Sequence, residues 1–160
     1  MSKVRVRFSF LVFLALVFLL RDTSAIAAFS AVCIMHELGH FAAIYALGGD
    51  VRSLELTGTG IRITAGTPTS NRDGSIILLS GPAVNIAAFL VCTAAGNTGS
   101  FAQFSLAEGL FNLLPFSFLD GGALIEQYIT GTVHERELRT VMRILQAVTV
   151  AAAVYMCIGA

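Results

Sequence analysis

Charged residues are scarce in this chain of 160 residues, since Asp, Glu, Lys and Arg make up only 12% of it and the formal net charge is zero. Soluble domains carry about 25% charged residues. Apolar residues account for 56% of the chain, and the mean hydropathy is +0.80. This balance argues against a water-soluble protein and predicts a chain embedded in lipid.

Basic clusters and paired cysteines are also missing. The basic residues are spread along the chain, which excludes the electrostatic footprint of a nucleic-acid-binding protein. The three cysteines, Cys33, Cys92 and Cys157, are odd in number, far apart, and each lies in an apolar run. This pattern argues against a disulfide framework and against a cysteine metal cluster. It favours cysteines that act as small buried hydrophobic side chains.

Long apolar runs dominate the chain instead. A spanning helix needs about 20 mainly apolar residues, and about five transmembrane helices are predicted, at residues 8–20, 25–47, 76–95, 101–119 and 138–158. Residues 51–64 alternate apolar and polar side chains around Gly58 and Gly60, which predicts a short β-hairpin. The sequence therefore predicts an all-α membrane protein, a single domain over residues 1–160, with a hairpin between helices 2 and 3.

Residues 8–20 leave two interpretations open. They follow Lys3, Arg5 and Arg7, as the apolar part of a cleaved signal peptide does. A retained first helix is preferred, because the next apolar stretch begins almost at once, at Ala25. Under the positive-inside rule, the distribution of arginines places the N-terminus, the hairpin and the loop containing Asp120 on the cytoplasmic side.

The second predicted helix contains an HExxH sequence formed by His36, Glu37 and His40. On a helix, residues four apart stand on one face, so both imidazoles can bind one metal ion while Glu37 reaches the attacking water. Ionisable side chains inside an apolar helix are costly unless they face a protein interior or a cavity. The motif therefore predicts a functional zinc site.

A catalytic zinc usually has three protein ligands, so a distant third ligand is expected. Asp120 follows an apolar segment and is flanked by Leu119 and by Gly121 and Gly122, which makes it the best candidate. It can meet the histidines only if the fourth segment unwinds there, a break that Pro115 and the glycines favour. The other acids considered lie beside arginines or in loops: Asp22, Asp50, Glu55 and Asp73.

Three segments together resemble the site-2 protease family of intramembrane zinc metalloproteases. They are HELGH at residues 36–40, Gly81-Pro82 with Asn85, and the Asn112-Leu-Leu-Pro115 segment that leads to Leu119-Asp120-Gly121-Gly122. The short form with a hairpin is similar to the sporulation factor processing protease subgroup.

The resemblance implies a role for each matching position. His36, His40 and Asp120 match the zinc ligands, Glu37 the general base, and Asn112 an asparagine that holds substrate or the developing oxyanion. Asn85 matches a motif asparagine whose role is open between contact with substrate and helix packing. The hairpin glycines, Gly58 and Gly60, are expected to contact substrate, with a substrate strand adding to the edge of the hairpin. Glu108 has no family counterpart; it is interpreted either as an acceptor for a zinc-bound histidine or as a protonated acid bonded between helices.

The expected function is hydrolysis of a peptide bond in a membrane-spanning or membrane-associated protein, with Zn2+ as cofactor and the bilayer as surroundings. A regulatory membrane partner or a homo-oligomer is a further possible association. We expect the plasma membrane as the location, with the active site towards the cytoplasm. The alternative is a membrane zinc-binding or transport protein, or a proteolytically inactive family member.

Overall fold

A computed structural model describes residues 3–6, 23–49, 51–57, 60–65 and 70–159. Within these ranges the helices are α1 (Thr23–Ala46), α2 (Asn71–Ala94), α3 (Ser100–Asn112), α4 (Asp120–Ile129) and α5 (Glu135–Gly159). The strands are β1 (Lys3–Val6), β2 (Val51–Thr57) and β3 (Gly60–Ala65). The predicted first helix, at residues 8–20, lies outside the described residues, as does Gly58.

Helices α1, α2 and α3 pack against one another, and α4 packs against α2. Glycines allow the close approach, because a Cβ on Gly39 of α1 would lie 2.8 Å from the carbonyl oxygen of Ser80 in α2. An edge-to-face contact joins Phe29 of α1 to Phe104 of α3, with ring centroids 5.7 Å apart. The helix cluster therefore holds α1 between two partners over much of its length.

Helix α1 buries polar side chains and exposes apolar ones. His36 and His40 are buried, whereas Ile34 and Leu38 are 58% and 59% exposed. Both α1 and α2, of 24 residues each, are long and apolar enough to cross a membrane. An apolar outer face around a polar interior is typical of membrane helices that surround a functional site.

The fourth predicted segment, residues 101–119, divides in the structure. Helix α3 ends at Asn112, and the chain turns tightly before α4 begins at Asp120. Pro115 offers no N–H and disfavours a helical conformation at the preceding residue. The predicted helix at residues 101–119 is therefore not continuous, and Asp120 begins the next helix after the break.

Helix α5 begins earlier than the predicted span at residues 138–158, and its first turns are rich in charge, with Glu135, Arg136, Glu137 and Arg139. It is attached to the rest by a hydrogen bond from the Nε2 of Gln146 to the carbonyl oxygen of Pro115, 2.6 Å long. Its large apolar residues, among them Ile144 and Val148, are mostly exposed.

The strands form one sheet in the order β1-β2-β3. Strand β2 pairs antiparallel with β3, where Leu54 lies opposite Ile63, and parallel with β1, where Leu54 lies opposite Val4. Strand β1 was not predicted from the sequence. Gly60 is the first residue of β3 and pairs with Thr57, and β3 contacts α1. The sheet therefore contacts the helix that carries the HExxH motif.

Candidate metal centre

His36, His40 and Asp120 converge although 84 residues separate the first from the last. The Nε2 atom of His36 lies 3.1 Å from Oδ2 of Asp120, and Nε2 of His40 lies 3.3 Å from the same oxygen. The two Nε2 atoms are 3.1 Å apart. The structure therefore brings together the three side chains that the sequence analysis selected as ligands.

This triangle has the size that zinc requires. Two ligand atoms bound to zinc at about 2.0–2.2 Å with a tetrahedral angle lie about 3.3–3.6 Å apart. The observed separations of 3.1 and 3.3 Å lie within about 0.2 Å of the lower end of that range. Two imidazole nitrogens and a carboxylate oxygen are also a donor set that zinc prefers. The residues present fit a zinc ion.

Gly81 of α2 leaves room beside the ligand atoms. A Cβ at this position would overlap Nε2 of His40 and would lie 2.7 Å from Nε2 of His36. Any larger residue would therefore project into the space between the histidines. In the sequence, Gly81 was recognised only as part of a motif. Its spacing of four residues from Asn85 is the signal that places both on one face of α2.

The ring orientation of His40 is set by backbone. Its Nδ1 lies 2.7 Å from the carbonyl oxygen of Ile77 in α2. A carbonyl oxygen only accepts, so Nδ1 carries the proton and a neutral His40 presents the lone pair of Nε2 to the site. Donation of the second ring N–H to a backbone carbonyl is a usual feature of histidines that bind metals.

Asn85 lies behind His36. It is fully buried, and its side-chain amide nitrogen is 3.2 Å from Nδ1 of His36. A side chain with no exposed surface on the far side of a ligand is not placed to touch substrate. The expected substrate contact of Asn85 therefore finds no support in this position.

Asp120 reaches the site because α4 starts directly against the turn that precedes it. A Cβ on Gly121 would collide with the backbone of Leu113, and one on Gly122 with the backbone of Phe116. At its other end α4 is held to α2, where Nε2 of Gln127 donates to the carbonyl oxygen of Asn71 at 2.6 Å. Asp120 also benefits from its position in the first helical turn, where the helix dipole favours negative charge.

Glu37 lies between His36 and His40 in the sequence, and Asn112 precedes Asp120. Glu37 is half-buried on α1, beside His36 in sequence. Asn112, the last residue of α3, is also half-buried, and its Nδ2 donates to Oε1 of Glu108 at 3.1 Å. Glu108 therefore accepts from its own helix, and neither of the two roles considered for it, as a histidine partner or as a link between helices, matches this bond.

No protein-family model and no curated protein sequence matches the chain. Among solved structures, the Site-2 Protease from Methanocaldococcus jannaschii aligns with a TM-score of 0.71 over 98% of this chain and 81% of that chain, at 15% identity. The chain resembles a site-2 protease in fold. At this level of identity the likeness concerns the fold, and the case for a function depends on the side chains described above.

Proposed function

We propose that the protein is an intramembrane zinc metalloprotease that hydrolyses a peptide bond of a membrane-spanning or membrane-associated protein. The observation that carries this proposal is the triangle of His36, His40 and Asp120, whose dimensions suit zinc. It forms inside a cluster of apolar helices with a site-2 protease-like fold.

The three ligands hold the metal, and the remaining residues carry the proton and the charge. A zinc ion bound there would polarise the scissile carbonyl and lower the pKa of the attacking water. Glu37 takes the proton from that water as general base and passes it to the leaving amine. Asn112 donates to the carbonyl oxygen as negative charge develops on it, for which its amide must release a bond to Glu108.

The edge of the sheet formed by β3 is the proposed place for substrate. Strand β3 lies at one edge of the order β1-β2-β3, and it contacts the helix that carries the motif. An extended substrate segment could add to such an edge through backbone hydrogen bonds. Peptide bonds in a helix are already hydrogen-bonded, so a local extended conformation would expose one for hydrolysis.

The proposal includes about five spans in the plasma membrane, a site open towards the cytoplasm, and membership of the sporulation factor processing subgroup. It also includes a membrane protein as substrate, with no role for nucleic acid. Asp120 is the partly exposed member of the ligand set, with 17% of its side chain accessible, against 6% for His36. We therefore place the entry of water on the side of Asp120.

The first test measures zinc. The protein is purified in mild detergent, freed of loosely bound metal, and assayed for about one zinc per chain. Asp120→Ala and His36→Ala should lose most of it, whereas His134→Ala should not, because His134 is exposed and pairs only with Glu137 in the described structure. A native protein that folds but binds no zinc would refute the metal site.

The second test measures hydrolysis. Native protein and Glu37→Gln are incubated in detergent with a panel of single-span membrane segments, and products are identified by mass spectrometry. Glu37→Gln should keep its zinc but cleave at least about 100-fold more slowly, since it removes the general base. Full zinc binding with no cleavage of any segment by the native protein would favour a zinc-binding protein or an inactive family member.

A further inference from the structure

The face of α2 that meets the histidines uses three residues spaced four apart. The carbonyl of Ile77 accepts from His40, Gly81 leaves room at both Nε2 atoms, and Asn85 lies against Nδ1 of His36. Two of these contacts have a clear part in arranging the ligands. Asn85 makes the third contact, and its part in arranging His36 follows from the hydrogen-bonding capacity of its amide.

Only one of the two polar atoms of the Asn85 side chain has a hydrogen-bond partner among the described residues. Its Nδ2 faces Nδ1 of His36, while its Oδ1 is buried and finds no donor among the described residues. In this arrangement Nδ1 of His36 must accept, so the proton of a neutral imidazole is on Nε2, between Asp120 and His40. That proton occupies the position that a metal ion needs.

Turning the Asn85 amide by a half rotation exchanges its oxygen and nitrogen in nearly the same space. The change sacrifices no hydrogen bond of Oδ1, which has none among the described residues. It places an acceptor against Nδ1 of His36, and the imidazole proton then belongs on Nδ1. Nε2 is left with a lone pair, as His40 already has through Ile77.

We propose that Asn85 is a positioning residue for the metal site, whose Oδ1 accepts from Nδ1–H of His36 and selects the tautomer that binds zinc. The inference rests on the proposed zinc site and assigns it a further residue. Asn85 and the carbonyl of Ile77 then act as a matched pair of acceptors, one for each histidine. Neither one touches substrate.

The test compares two replacements of Asn85. Asn85→Leu keeps the approximate size but removes the acceptor, and Asn85→Asp keeps an acceptor and removes the donor. Zinc affinity is measured by competition with a coloured chelator. The Leu variant should bind zinc about 10- to 100-fold more weakly, the usual cost of losing such a partner, whereas the Asp variant should stay close to native.

Ser105→Ala is the matched control. Ser105 is also fully buried and polar, but it lies on α3 and donates to the carbonyl of Phe101 in its own helix. The Ser105→Ala protein should bind zinc with native affinity. Native affinity in Asn85→Leu, or equal losses in the Leu and Asp variants, would overturn the role of Asn85 while leaving the zinc site standing. A native protein that binds no zinc would overturn both.

A measurement on the native protein decides the matter if Asn85→Leu does not fold. In metal-free native protein with 15N-labelled histidine, NMR should show the proton of neutral His36 on Nδ1, because without zinc on Nε2 the acceptor at Asn85 is what selects this tautomer. An Nδ1 of His36 without a proton would overturn the proposal.

Discussion

Replacing Gly81 with alanine would put a methyl group where the two Nε2 atoms face Asp120. The new Cβ would lie 2.7 Å from Nε2 of His36 and closer still to Nε2 of His40, whereas ordinary contacts begin at 3.4 Å. Helix α2 or the imidazoles must therefore move by about 0.7 Å or more. Metal–ligand distances tolerate only about 0.2 Å.

The expected loss of zinc affinity follows from the strain. Inserting a methyl group into a filled site costs about 1–3 kcal/mol. The metal-free variant can relieve this strain by moving its histidines. Zinc binding must return the histidines to the strained positions, so the strain energy is subtracted from the binding free energy. Because each 1.4 kcal/mol is about tenfold in an equilibrium constant, Gly81→Ala should bind zinc about 5- to 150-fold more weakly than the native protein.

The assay is chelator competition, with circular dichroism to establish that the helices persist. Ala87→Val is the control, because it adds side-chain volume to the same helix at an exposed position. It should keep native affinity. If Gly81→Ala is folded and binds zinc within about twofold of native, the histidines are not packed against α2 as described.

Two further predictions concern the attachment of α5. Gln146→Leu removes the hydrogen bond to Pro115 and should lower the free energy of unfolding by about 0.5–1.5 kcal/mol, measured by thermal unfolding. Thr149→Val, which affects a bond only within α5, should cost less, and equal losses would argue against the attachment. Hydrogen bonds from the N–H of Gly131 and then from the guanidinium of Arg139 lower the pKa of Glu135 in the folded protein. Ionised Glu135 therefore stabilises the fold at pH values above its ordinary pKa of about 4.3. This contribution disappears as the pH falls through the lower folded-state pKa. Glu135→Gln should therefore lose less stability than native on acidification over that range, and an identical profile would contradict this pairing.

The meeting of His36, His40 and Asp120 was predictable because the chemistry of these residues is local or rare. His36 and His40 are four residues apart on a helix, so helical geometry alone puts them together. Asp120 stood out as an acid after an apolar segment, and Pro115 with the adjacent glycines indicated the break that lets it turn inward. The positions of Ile77 and Asn85 were less accessible, since a backbone carbonyl has no sequence signature and a buried asparagine serves many purposes.

The sequence by itself determined the apolar character of the chain, the helical face shared by His36 and His40, and the need for a break before Asp120. These properties follow from composition, from the 3.6-residue period and from the missing N–H of proline. Only the tertiary structure decided that Asp120 starts a helix, that β1 joins the sheet, and that one face of α2 supports both histidines. Those outcomes depend on how closely separate segments approach, which is governed by packing between residues far apart in the chain.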